Sequence, residues 1–265
     1  MLVNEHDIIP ARIFFMKLIL LGTNGWFDTE TGNTPCVLLQ TEQFDVIFDA
    51  GYGFTKVDRY IDGSKPVYLF LSHFHLDHLI GLHTLPKNHF PRGLTILGQP
   101  GTKDALNELL GPPFSVPLST HRYPVQIQEL MNGTRPHLPF NLTALPLVHS
   151  GPCLGYRLET NGKVVTYCTD TGYCENAVTL AHQADLFMTE CALAPGAEPH
   201  PGWPHLNPAE AARIAVEAQA QRLILIHFDP TQYPTLSHRK LAEEEARKIF
   251  PQSFAGYDGM EFSLK

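Results

Sequence analysis

Short apolar runs rich in β-branched and aromatic residues recur through the first half of the chain, at positions 13–21, 36–41, 46–48, 67–71 and 94–97. Gly, Asn, Asp and Pro turn signals separate them, which predicts short strands. Helical spacing intervenes at 78–85 and 102–110. The second half has the same texture, with strands expected at 142–148, 154–159, 163–168, 186–189 and 223–227 and helices near 175–182, 208–221 and 237–249. Pro208 suits a first helical turn with Asn207 as its N-cap, and Ala211, Ala212, Ile214, Ala215 and Ala218 supply an apolar face. Two similar halves, each of strands then helices, predict an α/β fold of two packed sheets with helices outside, in one domain over 1–265. The Pro-rich segment 111–139 is expected to form loop and lid.

A chain of 265 residues with 43% hydrophobic content buries a full core, and 17% charged residues with no low-complexity tract exclude a disordered class. The formal charge of −8 opposes a surface built as a whole to neutralise phosphate backbones. No apolar run reaches the roughly 18 residues that span a bilayer. The run 13–21 is interrupted by Lys17 and preceded by Glu5 and Asp7, which suits a buried strand better than a signal peptide, so a cytoplasmic protein is expected. Five cysteines without a Cys-x-x-Cys pair indicate reduced, mostly buried thiols rather than disulfides or a zinc ribbon.

The 14 histidines change the picture. Ser72-His73-Phe74-His75-Leu76-Asp77-His78 follows the run 67–71. If the strand continues, alternation points His73 and His75 at one ion, and the next turn brings Asp77 and His78 to a second. His149, Asp170 and His227 each follow a predicted strand. A lone histidine there is more often a hydrogen-bonded residue of no special function, but the three together complete a binuclear set.

The order His-x-His-x-Asp-His, His, Asp, His resembles the metallo-β-lactamase superfamily, over nearly the whole chain from Leu21-Gly22-Thr23-Asn24-Gly25 and Phe48-Asp49-Ala50-Gly51 to Ile226-His227-Phe228. The resemblance implies a four-layer αββα sandwich. It assigns His73, His75 and His149 to one metal and Asp77, His78 and His227 to the other, with Asp170 bridging. It also implies two divalent ions about 3.5–4 Å apart that share and acidify a bridging hydroxide. Zinc suits these ligands, with Mn or Fe as alternatives. Asp49 is expected to shape the loops under the site. Because Met16-Lys17-Leu18-Ile19 looks like a usual family start, residues 1–15 are expected to be an extension.

Thr189-Glu190-Cys191 and His205-Leu206-Asn207-Pro208-Ala209-Glu210 are similar to positions in ribonuclease Z and its phosphodiesterase-like relatives. That similarity implies His205 as general acid and Glu190 as its orienting partner, beside the metal-binding Asp77 in the catalytic set. His149 to Leu158 also resembles this subgroup, so Tyr156 and Arg157 are candidates for substrate contact, with packing the alternative for Tyr156. One departure matters. The interval from His149 to Asp170 holds two strands and a turn, with no room for the basic arm that grips transfer RNA.

A small or cyclic phosphodiester is therefore the expected substrate, with RNA not favoured and ribonuclease Z-like tRNA 3′ processing as the alternative. Lactone, thioester or β-lactam hydrolysis and a non-catalytic metal-binding role rank lower. The resemblance further implies a homodimer.

Overall fold

The computed structural model describes residues 15–130, 137–200 and 202–264. Of the expected extension, residues 1–14 lie outside the described residues. Six strands come first: β1 (Met16–Gly22), β2 (Cys36–Thr41), β3 (Asp45–Phe48), β4 (Val67–Phe70), β5 (Leu94–Gly98) and β6 (Val125–Glu129). The next six are β7 (Asn141–Pro146), β8 (Leu154–Thr160), β9 (Lys163–Cys168), β10 (Leu186–Glu190), β11 (Leu223–Ile226) and β12 (Ser253–Ala255). The last strand, β13 (Glu261–Leu264), returns to pair with β1, giving sheets ordered β13-β1-β2-β3-β4-β5-β6 and β12-β11-β10-β9-β8-β7.

The layering follows from which strand faces are apolar. Phe48, Phe70, Tyr156, Tyr167 and Met188 meet between the sheets, and Phe48 stacks on Tyr167 with ring centres 5.1 Å apart. The outer face of the first sheet packs on 3-10 turns at Tyr52–Arg59 and Ile80–Lys87 and on α1 (Thr102–Leu109). The outer face of the second is covered by α2 (Glu175–Ala181), α3 (Pro208–Glu217) and α4 (Leu236–Arg247). This is the expected αββα order. No helix among the described residues is long and apolar enough to cross a membrane.

Strands β3, β4 and β5 run parallel, as do β9 to β12. Parallel strands gather their carboxyl ends at one edge, where open α/β sheets offer clefts to ligands. Residues 49, 73–78, 170, 190 and 227 all occupy that edge.

Several expectations need correcting. The helix at 78–85 is a run of 3-10 turns, because Gly81 lies against the Ala50–Gly51 backbone and Pro86 cannot continue an α-helix. Strand β4 stops at Phe70, so His73 and His75 sit on an extended loop, where the Ser72 amide donates to Asp49 Oδ1 at 2.7 Å in place of a ladder partner. Strand β7 ends at Pro146, which leaves His149 on a connection rather than at a strand end. Within 111–139, the described residues include edge strand β6, paired in parallel with β5, and none of them lines the cleft at the carboxyl edge of the sheets; residues 131–136 of that segment are not described. All five cysteines are free.

The helix that carries the His205 segment into the fold begins with a complete capping box: Asn207 Oδ1 accepts from the Glu210 amide at 3.0 Å, and Glu210 Oε2 accepts from the Asn207 amide at 3.1 Å. Removing one cap of this kind costs about 1 kcal/mol. An Asn207→Ala variant should lose that much in a urea unfolding titration, with the slope of the transition unchanged.

Candidate metal centre

Asp49 is the buried foundation of the site. It follows β3 in a left-handed conformation, φ 56°. Its Oδ1 accepts from the Ser72 amide, while Oδ2 accepts from Ser72 Oγ at 2.7 Å and Tyr167 Oη at 2.8 Å and faces His78 Nδ1 at 2.7 Å. A carboxylate on Nδ1 keeps the proton there and turns the Nε2 lone pair of His78 into the site. Asp49 therefore holds the Ser72 loop and the His78 ring from beneath, and through Tyr167 it joins them to the inter-sheet core.

Above it, the seven predicted ligands converge. His73, His75 and His149 bring one nitrogen each into a common group, and Asp77, His78 and His227 form a second. Asp170 joins the two: its Oδ2 lies 3.1 Å from His73 Nε2 and 2.7 Å from His78 Nε2, and its Oδ1 lies 3.0 Å from His227 Nε2. Between the groups' own members the donor atoms are 3.2 to 3.5 Å apart: 3.4 Å for His149 Nε2 to His75 Nδ1, 3.2 Å for His78 Nε2 to His227 Nε2, and 3.5 Å for His227 Nε2 to Asp77 Oδ2. Ligands at about 2.0–2.1 Å from a tetrahedral ion stand about 3.3 Å from one another. The spacing fits two ions sharing Asp170.

The polar accounting agrees. His73 Nε2 and Asp170 Oδ1 are buried without a hydrogen-bond partner of proper geometry, although an oppositely natured atom is near each. Orphaned buried atoms that converge on one point are what a cation would satisfy. Electrostatics say the same. Burial and the neighbouring His78 push His73 down to about 2, which leaves its lone pair free. Burial works against charge on His227, yet Asp170 and Asp77 outweigh it and raise the group to about 10. Burial also opposes charge on Asp170 itself, but His227, His78 and His73 hold it well below the usual carboxylate range. The two carboxylates draw positive charge into the cluster.

The backbone is bent to achieve this. Asp49, Asp170 and His227 all lie just beyond strand ends with φ between 49° and 56°, and Trp26 at the rim has φ 64°. Left-handed non-glycine residues cost of order 1–3 kcal/mol each and collect at functional sites. Gly25 is required for a related reason: a Cβ there would stand 2.4 Å from the His227 ring. The Trp26 amide donates to Asp77 Oδ2 at 2.8 Å, fixing that carboxylate.

Glu190 and His205 stand beside the cluster. Glu190 ends β10 and is wholly buried; its Oε1 accepts from the Thr171 amide at 2.5 Å and faces His205 Nδ1 at 2.8 Å, and its Oε2 accepts from the Leu206 amide at 3.2 Å. Burial disfavours charge on His205, but Glu190 and then Asp170 outweigh it and hold the imidazole above its ordinary value. His205, His149, Asp170, His227, Asp77 and His75 line one cleft.

Tyr156 and Arg157 do not reach that cleft. Tyr156 is buried and its hydroxyl donates to the Leu71 carbonyl at 2.6 Å, so packing is its role. Arg157 alternates to the opposite face of β8 and donates to the Leu180 and His182 carbonyls at the end of α2. The interval between His149 and Asp170 is closed by an Asn161-Gly162 turn, both residues left-handed, which joins β8 to β9 directly. Sequence reading gave no role to the supports Ser72, Tyr167 and Thr171 or to the aromatic rim at Trp26, although Ser72 opens the histidine motif and Gly25, next to Trp26, closes the stretch from Leu21.

Comparison with known proteins agrees with this geometry. Residues 45–228 match the family model described as Beta-lactamase superfamily domain. A ribonuclease Z of Bacillus licheniformis is 27% identical over 312 aligned residues, covering 94% of this chain and 99% of that protein. The probable metallo-hydrolase YhfI of Bacillus subtilis is 25% identical, over 89% of this chain and 94% of its own length. The crystal structure of YhfI superposes with a TM-score of 0.78 at 22% identity, covering 95% of this chain and 100% of that one. A diphosphatase from the PhnP family superposes with a TM-score of 0.69 at 17% identity, covering 94% of this chain and 98% of that one. With the matched domain spanning β3 to the residue after His227, the chain belongs to the beta-lactamase superfamily.

Proposed function

We propose that the protein is a binuclear metal-dependent phosphodiesterase acting on a small or cyclic phosphodiester. His73, His75 and His149 would hold one ion, Asp77, His78 and His227 the other, and Asp170 both; zinc suits the donors, with Mn or Fe compatible. When bound, two such ions acidify a water and neutralise charge on the phosphoryl oxygens, as in-line attack at phosphorus requires.

The observation that carries the reading is His205, anchored at 2.8 Å by Glu190 and lining the same cleft as both ligand sets. Glu190 spends its other contacts on backbone amides, so it orients the ring and stabilises its charge rather than exchanging protons itself. With Nδ1–H committed to Glu190, Nε2 is the nitrogen that protonates the departing alkoxide. A phosphodiester has a poor alkoxide leaving group, and a positioned acid is what that departure needs.

The ribonuclease Z reading draws support from the Bacillus licheniformis relative, but that alignment spans 312 residues against 265 here, so the relative carries segments this chain lacks. The two-residue turn between β8 and β9 leaves no insertion to hold a folded RNA.

Three measurements test these assignments. Elemental analysis of the purified protein should find about two divalent ions per chain, with Asp170→Ala losing most of both and Asp49→Ala weakening affinity by about 10- to 100-fold while every ligand remains. Turnover of bis(p-nitrophenyl) phosphate by the metal-loaded protein should fall about 10²- to 10⁴-fold in His205→Ala without loss of metal; undiminished turnover would remove His205 from the mechanism. A precursor tRNA with a 3′ trailer should remain intact under conditions in which the small diester is cleaved, and its efficient cleavage would transfer the conclusion to ribonuclease Z-like processing.

A further inference from the structure

The mouth of the cleft carries aromatic surface that neither the ligand sets nor the Glu190–His205 pair uses. The chain has two tryptophans, and both line this cleft. Trp26 is 67% exposed and Trp203 55%. Residues of this size and apolarity ordinarily bury most of their surface.

Each indole stands beside one part of the machinery. The Trp203 ring is 5.3 Å from that of His205 and 6.3 Å from that of His149. Trp26 adjoins the other ligand set through the hydrogen bond its backbone N–H donates to Asp77 Oδ2, with Phe27 edge-on at 5.1 Å. Its left-handed backbone is one that bulky side chains avoid. Neither burial nor backbone preference accounts for a tryptophan there.

Charge narrows the occupant. Among the described residues, the cleft is lined by Asp77, Asp170 and Asp229 besides its imidazoles, and by no Lys or Arg. Beyond the ligand sets, whose carboxylates the bound ions would neutralise, a polyanionic strand would meet Asp229 and, among the described residues, no cationic side chain to track its phosphates. An uncharged planar group attached to the phosphate would meet indole faces. The volume, about 740 Å³, is that of a small-molecule site.

We infer that Trp26 and Trp203 are the specificity surface of this cleft and stack a planar aromatic group, a nucleobase or aryl ring, esterified to the scissile phosphate. This rests on the phosphodiesterase reading only for the presence of the phosphate. Stacking is tolerant of ring identity because every planar base or aryl group has a π-face.

Calorimetric titration of the metal-loaded protein with adenosine 5′-monophosphate, ribose 5-phosphate, phenyl phosphate and methyl phosphate tests the inference. The two aromatic esters should bind more tightly than their aliphatic counterparts by roughly 5- to 150-fold and quench tryptophan fluorescence. Trp26→Ala and Trp203→Ala should each reduce that ratio at unchanged metal content, and the corresponding Trp→Phe variants should restore much of it. A larger ratio for the adenosine pair than for the phenyl pair identifies a nucleobase site; equal ratios identify a general aryl face. Equal affinity for aromatic and aliphatic esters, discrimination that survives the double alanine variant, or no binding of any of the four overturns the proposal. The readout is equilibrium binding, so a lack of diester turnover would remove the phosphodiesterase reading without deciding this one.

Discussion

Two carboxylates, the buried Asp170 and the part-buried Asp77, press against a cluster of imidazole nitrogens, and the arrangement is stable only with positive charge among them. Asp170 is the pivot, because its Oδ2 faces His73 and His78, one from each set, while its Oδ1 faces His227. Donor atoms 3.0 to 3.5 Å apart would repel if left as bare lone pairs. The scaffold therefore has to hold ligands together against their own electrostatics, and much of the surrounding structure serves that end.

The restraint comes from strand ends. Asp49, Asp170 and His227 turn into left-handed conformations within two residues of β3, β9 and β11, three buried strands whose ladders fix where each turn begins. The loop after β1 is fastened to the loop after β11 by the Gly25 amide donating to the Phe228 carbonyl at 2.8 Å and the Phe228 amide donating to the Thr23 carbonyl at 3.0 Å. Arg239, buried on α4, reinforces this junction by donating to Thr23, Asn24 and the Gly256 carbonyl, with its guanidinium 4.6 Å above the Phe228 ring. The two sheets are thus locked together at the edge where their ligands meet. Rigid elements of this kind keep a site within the small tolerance that chemistry at a metal pair requires.

Chemistry and selectivity then separate in space. Most of the candidate ligands and the Glu190–His205 pair lie at the cleft floor, with His73, His78, Asp170, Glu190, His205 and His227 buried, whereas the rim carries exposed aromatic side chains on loops. Loops of that kind vary without disturbing a core, which is how one fold serves different substrates.

The sequence alone determined the layer order and singled out the seven residues that the fold gathers at one edge. Histidines and aspartates at fixed spacing after apolar runs leave a mark in one dimension, and the alternation of strand and helix signals limits the architecture. Asp49 was legible as a residue beneath the site, and the short His149 to Asp170 interval as a missing arm. The end of β4 before His73, the 3-10 turns in place of a helix at 78–85 and the pairing of 125–129 as an edge strand were decided by tertiary contacts: an Asp49 carboxylate that takes the Ser72 amide, a Gly51 backbone that admits only Gly81, and a β5 edge that pairs with β6. Tyr156 and Arg157 were undecidable in one dimension because opposite faces of β8 look alike until the second sheet and α2 are in place. The metal centre itself is the sharpest case. Its residues are spread over more than 150 positions, and only the meeting of two sheets at their carboxyl ends brings their nitrogens and oxygens to within ligand spacing of one another.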